Sequence, residues 1–249
     1  MPKNTRAQSS FIIAHNGSTD PTTEGFSPFS EVGVSTTGPV LDDMGLAAWS
    51  IAGSAVYSQF AYSSGALSAS EQADIASQGF VLTLDARVLQ GLAPAYNDVN
   101  PFVIAGAALD TGTTRWEIEL GLNSNGDTVV VLPTSIGRSS GGSVEAPGPS
   151  LTLGGSGSSY NTYQLVFNPV TQSANLFVDG IERLQDYTGD PISVSNGGLF
   201  WGAWSGGQGN FAFVQVASVP APSPWSMIAV GGVALLGVML RRRHYKTTL

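Results

Sequence analysis

The chain has 249 residues, of which 42% are hydrophobic and only 11% charged, with 31 glycines, 14 prolines and no cysteine. Disulfide and thiolate chemistry are thereby excluded. Between residues 11 and 220, four arginines and no lysine stand against all 18 acidic residues; such a surface repels phosphate backbones and excludes nucleic acid as a partner.

Low charge, abundant glycine and no long helical period point to an all-β domain with many turns. About 200 residues precede the C-terminal tail, a length that suits one β-sandwich. The segment Met1–Gln8 is basic, but the apolar run behind it is only Phe11-Ile12-Ile13-Ala14. A secretory signal needs roughly 7–15 apolar residues, so the expectation is a translation start upstream of Met1. The one helical signal is Ser68-Ala69-Ser70-Glu71 leading into Gln72–Gln78: Ser and Glu at this spacing form a capping box, and Gly79 stops the helix. Gly79–Leu89 and Phe102–Leu109 follow as strand candidates. Trp116–Leu122 and Thr128–Leu132 flank a hairpin turn, Asn123-Ser124-Asn125-Gly126-Asp127. Ser139–Gly157 is rich in Ser, Gly and Pro and reads as a long loop. Tyr163, Leu165 and Phe167 share one side of a strand, with Gln164, Val166 and Asn168 on the other. Asn168–Gln172 turns the chain into Asn175–Val178, and Asp179-Gly180 turns it again into Ile181–Leu184. Leu199–Trp204 and Phe211–Val216 close the body.

This succession of about a dozen short strands and one small helix resembles the concanavalin A-like, laminin-G-type jelly roll. The residues that carry the resemblance are Asp20-Pro21-Thr22-Thr23-Glu24-Gly25-Phe26, Ala48-Trp49-Ser50-Ile51, Gly79-Phe80-Val81-Leu82, the hairpin from Tyr163 through Phe167 to Leu176-Phe177-Val178-Asp179-Gly180, and Phe200-Trp201-Gly202-Ala203. The family includes lectins, glycan-binding modules, adhesion domains and glucanases, so the fold leaves function to be argued from the site.

Four groups of residues carry chemistry worth weighing. Arg115-Trp116-Glu117-Ile118-Glu119 puts Glu117 and Glu119 on one face of a strand, about 7 Å apart, a separation open to glycosidase chemistry. Laminarinase-type glucanases of this fold carry Glu-x-Asp-x-x-Glu, and the chain lacks the middle and third acids of that pattern. Asp110-Thr111-Gly112-Thr113 matches the aspartic-protease tetrapeptide and part of a sialidase Asp-box. No second copy supplies the partner carboxylate, and the residues read as a hairpin turn. Asn97, Asp98 and Asn100, and again Asn123, Asn125 and Asp127, offer the oxygen ligands that calcium takes, and the same residues are ordinary turn formers. Finally, Trp201, Trp204, Tyr160 and Tyr187 offer aromatic planes on which sugar rings stack. Trp201 and Trp204 are three apart on a strand, so one is expected in the core and one outside. One body histidine, His15, gives little basis for a triad or a zinc site.

The tail runs Val219-Pro220-Ala221-Pro222, then sixteen uncharged residues from Trp225 to Leu240, then Arg241, Arg242 and Arg243. Such a run makes about 24 Å of helix against a hydrocarbon core of about 30 Å, and tilt or snorkelling arginines let it span with the arginines cytoplasmic. The order of parts resembles the PEP-CTERM sorting signal, with Ala221 where that motif has Glu. The resemblance implies processing by an exosortase-type membrane transpeptidase and delivery to the cell surface. The expected organisation is a short N-terminal tail over 1–9, the jelly-roll sandwich over 10–217, and the sorting signal with one transmembrane helix over 218–249. The expected function is non-catalytic binding of extracellular polysaccharide, with calcium as the cofactor its ligand types allow. Alternatives are a glycoside-acting enzyme using Glu117 and Glu119, and a structural or adhesion protein with protein partners.

Overall fold

Alternation of apolar and polar residues sets the strands, and two sheets bury the apolar sides against each other. The computed structural model describes residues 12–32, 35–42, 44–53, 59–91, 105–137, 144–146, 148–154, 159–192, 197–203 and 207–219. In chain order these form β1 (Ile12–Asn16), a 3-10 turn (Pro21–Glu24), β2 (Ser27–Val32), β3 (Ser35–Leu41), β4 (Ala47–Gly53), β5 (Gln59–Ser63), α1 (Ala69–Gln78) and β6 (Phe80–Gly91). There follow β7 (Ala105–Asp110), β8 (Thr114–Leu122), β9 (Thr128–Val131), β10 (Ser135–Gly137), β11 (Val144–Ala146) and β12 (Ser150–Leu153). The last are β13 (Asn161–Asn168), β14 (Ser173–Val178), β15 (Ile181–Tyr187), β16 (Asp190–Pro191), β17 (Gly198–Ala203) and β18 (Gly207–Ser218).

The first sheet runs β15-β14-β13-β6-β18-β4-β3, and β1 also pairs with β18. The second runs β12-β9-β8-β7-β17-β5-β2, with β16 on β8, and β10 and β11 form a separate two-stranded ladder. Every pairing is antiparallel, as expected of strands joined by hairpins and short crossovers. The result is an all-β sandwich of two antiparallel sheets.

In β6, Phe80, Leu82, Leu84, Ala86 and Val88 are buried in the core, and on β13 Tyr163 and Leu165 join them. Each such large side chain contributes about 1.5–3 kcal/mol by leaving water. On the second sheet the core is filled by Leu109, Trp116, Ile118, Leu120, Leu199 and Trp201.

The turns follow the sequence signals. Ser68 accepts from the Glu71 amide while the Glu71 side chain accepts from the Ser68 amide, a complete capping box, and α1 ends at Gly79 in a positive-φ conformation. A side chain at Gly79 would collide with the Phe167 carbonyl. Asp179 and Gly180 both have positive φ, the backbone that matches the twist of a two-residue hairpin.

Two differences from the sequence reading stand out. The Ser- and Gly-rich stretch 139–157 contains β11 and β12 rather than loop alone, because Leu151 and Leu153 alternate inward and the backbone pairs with β9. The first 63 residues contribute five strands that composition did not announce. The residues 225–240, Pro220, Pro222 and Arg241 to Arg243 lie outside the described residues; among those described, no helix is long and apolar enough to cross a membrane.

His15 joins β1 to the core. Its ring is fully buried and stacked on Trp201 at 4.3 Å, with Phe26 and Trp49 edge-on, and Nδ1 lies 2.6 Å from Glu24 Oε2. Nε2 is closed to solvent and has no hydrogen-bond partner among the described residues. Burial outweighs the pull of Glu24 and Asp20 and lowers the imidazole pKa. A lowered histidine pKa gives stability that is full above the unfolded value of about 6.5 and lost as pH falls below it. Melting curves between pH 8 and pH 5 should therefore show an acid loss of Tm that is reduced in His15→Gln.

Candidate functional site

On β8 the residues Trp116, Ile118 and Leu120 face the core, so Arg115, Glu117 and Glu119 line the opposite face of the second sheet. Glu117 and Glu119 are 6% and 4% exposed and are both engaged by neighbours. Opposite them on β7 stand Ala108 and Gly106. Two further charges on this face come from strand ends. Asp110 pairs across from Arg115 and receives both Nε and Nη2 from it, at 2.7 and 2.9 Å, and Asp190 on β16 sits on Arg115's other side. The Asp110 hydrogen bonds lead a set of carboxylate interactions that raise the Arg115 pKa. Asp110-Thr111-Gly112-Thr113 is thus a hairpin turn. The Thr111 amide and hydroxyl both donate to the Thr114 carbonyl, and Gly112 supplies positive φ.

The Asn123 hairpin is likewise built for its own backbone. Asn123 Oδ1 accepts from the amides of Asn125 and Asp127 at 2.9 Å each, and Asn123 Nδ2 donates to Asp127 at 3.2 Å. Among the described residues no three acidic or histidine side chains converge to hold a metal. Asn97, Asp98 and Asn100 lie outside the described residues.

Two of the aromatic candidates are corrected. Trp201 is fully buried, stacked between His15 and Tyr62, and offers neither ring face to a ligand. Tyr187 is 1% exposed; its ring packs edge-on to Trp116 and its hydroxyl donates to the Pro133 carbonyl at 2.6 Å. Both have core positions because inward alternation on β17 and the end of β15 points them between the sheets. Trp204 lies outside the described residues. Tyr160 is half-buried, with the Arg87 guanidinium 5.3 Å from its ring centre, and its hydroxyl faces Asp42 and Asn210. Burial and the Asp42 carboxylate raise the phenol pKa.

The register exposes a feature that no linear motif announces. With the even residues of β6 turned inward, Val81, Thr83 and Asp85 occupy the outer face of the first sheet. In one row across four strands stand Phe177, Gln164, Thr83 and Gln215. In the next row Thr162, Asp85 and Phe213 lie side by side. A bulge between Phe211 and Phe213 lets Phe211 stay in the core while Phe213 joins this face. All seven side chains are half-buried. At the end of the face Arg87, opposite Asn210, approaches Asp42 at 3.4 Å. Strands about 4.8 Å apart make the four-strand row about 14 Å wide. It carries amides and hydroxyls that both donate and accept, flanked by two phenylalanine rings.

No family model matches the sequence, and no curated protein matches it. Among solved structures, the carbohydrate esterase vb_24B_21 from the Shiga toxin-encoding bacteriophage phi24B is similar at a TM-score of 0.55 and 14% identity, over 84% of this chain and 99% of that one. A Bacillus licheniformis β-glucanase gives 0.46 and 13%, over 85% of this chain and 99% of that one. A legume lectin-like domain from Entamoeba histolytica gives 0.48 and 6%, over 83% and 96%. The first of these likenesses is one of fold: this chain has the all-β, two-sheet jelly-roll sandwich architecture.

The bidentate Asp110–Arg115 pair predicts a measurable cost of breaking it. Asp110→Ala should lower unfolding free energy by about 3 kcal/mol in urea titrations, since a largely buried guanidinium then loses its main partner. The double variant Asp110→Ala with Arg115→Met should recover part of that loss.

Proposed function

We propose that the body is a non-catalytic carbohydrate-binding module of an exported protein, acting on extracellular polysaccharide. The observation that supports this reading best is the outer face of the first sheet. Gln164, Thr83, Gln215 and Thr162 form an uncharged lattice of donors and acceptors, and Phe177 and Phe213 add apolar ring faces. Sugars present the same mixture of hydroxyls and apolar C–H faces. On this reading the full chain is retarded in affinity electrophoresis through neutral polysaccharides. The triple variant Thr83→Ala, Gln164→Ala, Gln215→Ala loses at least tenfold in affinity with Tm nearly unchanged, because these half-buried side chains lie on the outer face and fill no part of the core. Hydrolysis of the same polysaccharides that disappears in Glu117→Gln would instead favour the enzyme.

The tail supports the rest of the proposal by its order of parts. Val219, Pro220 and Pro222, the apolar residues 225–240 and Arg241 to Arg243 act as a membrane-inserted sorting signal that an exosortase-type enzyme removes. Intact-mass measurement of the protein recovered from the cell surface should then give a C-terminus upstream of Trp225. A surface protein that retains Arg241 to Arg243 would mean that the tail is a permanent anchor.

A further inference from the structure

Asp85 stands in the middle of the polar face, and the fold does little to compensate it. Thr162 is beside it on β13 and Phe213 beside it on β18, and no hydrogen bond or ion pair from a described residue reaches its carboxylate. The Arg87 guanidinium, two residues on, is turned toward Asp42. Asp179 has one carboxylate oxygen taken by the Thr162 amide at 2.9 Å, and it adds a like charge nearby. Burial first, and then Asp179, push the Asp85 pKa up. A half-buried charge that no described residue pairs contributes little to folding, which leaves its carboxylate available to a ligand.

We propose that Asp85 is the specificity-determining acceptor of a glycan site on this face. Its two oxygens take adjacent hydroxyls of a neutral sugar, while Thr83 and Thr162 bond the flanking hydroxyls and Phe213 lies against the ring's apolar side. The inference rests on the carbohydrate-binding reading above and names the sugar class. A carboxylate is an acceptor only, with two oxygens spaced to receive two O–H donors, and charge-assisted bonds of this kind are about twice as strong as neutral ones. Acidic sugars are disfavoured, because their carboxylates would meet Asp85, Asp179 and a body with four arginines against 18 acidic residues. A cation is disfavoured as ligand because two threonine hydroxyls and one carboxylate fall short of the six to eight oxygens calcium takes.

The test compares the full chain with Asp85→Asn by affinity electrophoresis on mixed-linkage glucan, galactomannan, alginate and polygalacturonate, together with melting curves. Asp85→Asn should bind the neutral polymers at least tenfold more weakly and yet melt about 2–4 °C higher at pH 7, since it removes an uncompensated charge. Wild-type binding should weaken as pH falls and Asp85 takes up a proton, and the Asn variant should lose that dependence. Unchanged binding by Asp85→Asn, with the triple variant still impaired, would overturn the role of Asp85 and leave the carbohydrate reading intact. No binding of any polymer by the wild type would overturn both. Preference for alginate or polygalacturonate, or binding abolished by a chelator, would overturn direct recognition of a neutral sugar.

Discussion

The strict two-residue alternation of β6 is the constraint on which the sandwich depends. Phe80, Leu82, Leu84, Ala86 and Val88 fill the core while Thr83, Asp85 and the buried Arg87 turn to the opposite face, and β6 lies between β13 and β18 over most of its length. A slip of one residue would place a carboxylate and a guanidinium between the sheets and five apolar side chains in water, so the register is fixed by a large margin. The same alternation creates the polar face. Core and candidate site are two sides of one strand, and neither can change register without the other.

The two sheets differ in how they manage polarity. On the second sheet the outward charges of β8 are drawn into neighbours: Arg115 is held by Asp110, and Glu117 and Glu119 are almost closed off. On the first sheet the central side chains stay half-exposed and mostly uncharged. An acidic pair that attracts attention in a linear motif is therefore the less accessible of the two faces, and the more accessible one contains no motif at all.

That contrast explains what could be read from residues alone. The Ser68–Glu71 capping box, the Asp179-Gly180 turn and the alternation around Tyr163 are local signals, and each is found where its local physics places it. The strands of the first 63 residues were not legible, since Ser-, Thr-, Gly- and Pro-rich segments such as Ser35–Leu41 become strands by pairing with a neighbour already in place. Trp201 and Tyr187 looked like ligand platforms because aromatic residues near glycine suit both a binding loop and a core; only the packing of His15, Tyr62 and Trp116 decides between them. The row from Phe177 to Gln215 runs through Gln164 and Thr83 by three strand pairings, so its members lie on four strands from β6 to β18. No window along the chain contains it.

The pairing of β1 with β18 carries a consequence for how the domain is made. Ile12 lies opposite Ala217 and His15 opposite Val214, so the first and last strands meet, and Gly17 fits against Ala212 so closely that a side chain there would strike backbone. The contacts that complete the first sheet are among the most distant in sequence that the body contains, and their loop-closure entropy is met only at the end. A chain emerging in order from its N-terminus leaves His15 and Trp49 without Trp201 until nearly the whole body is available. The first sheet therefore cannot be completed until the last strand is available to lie beside the first.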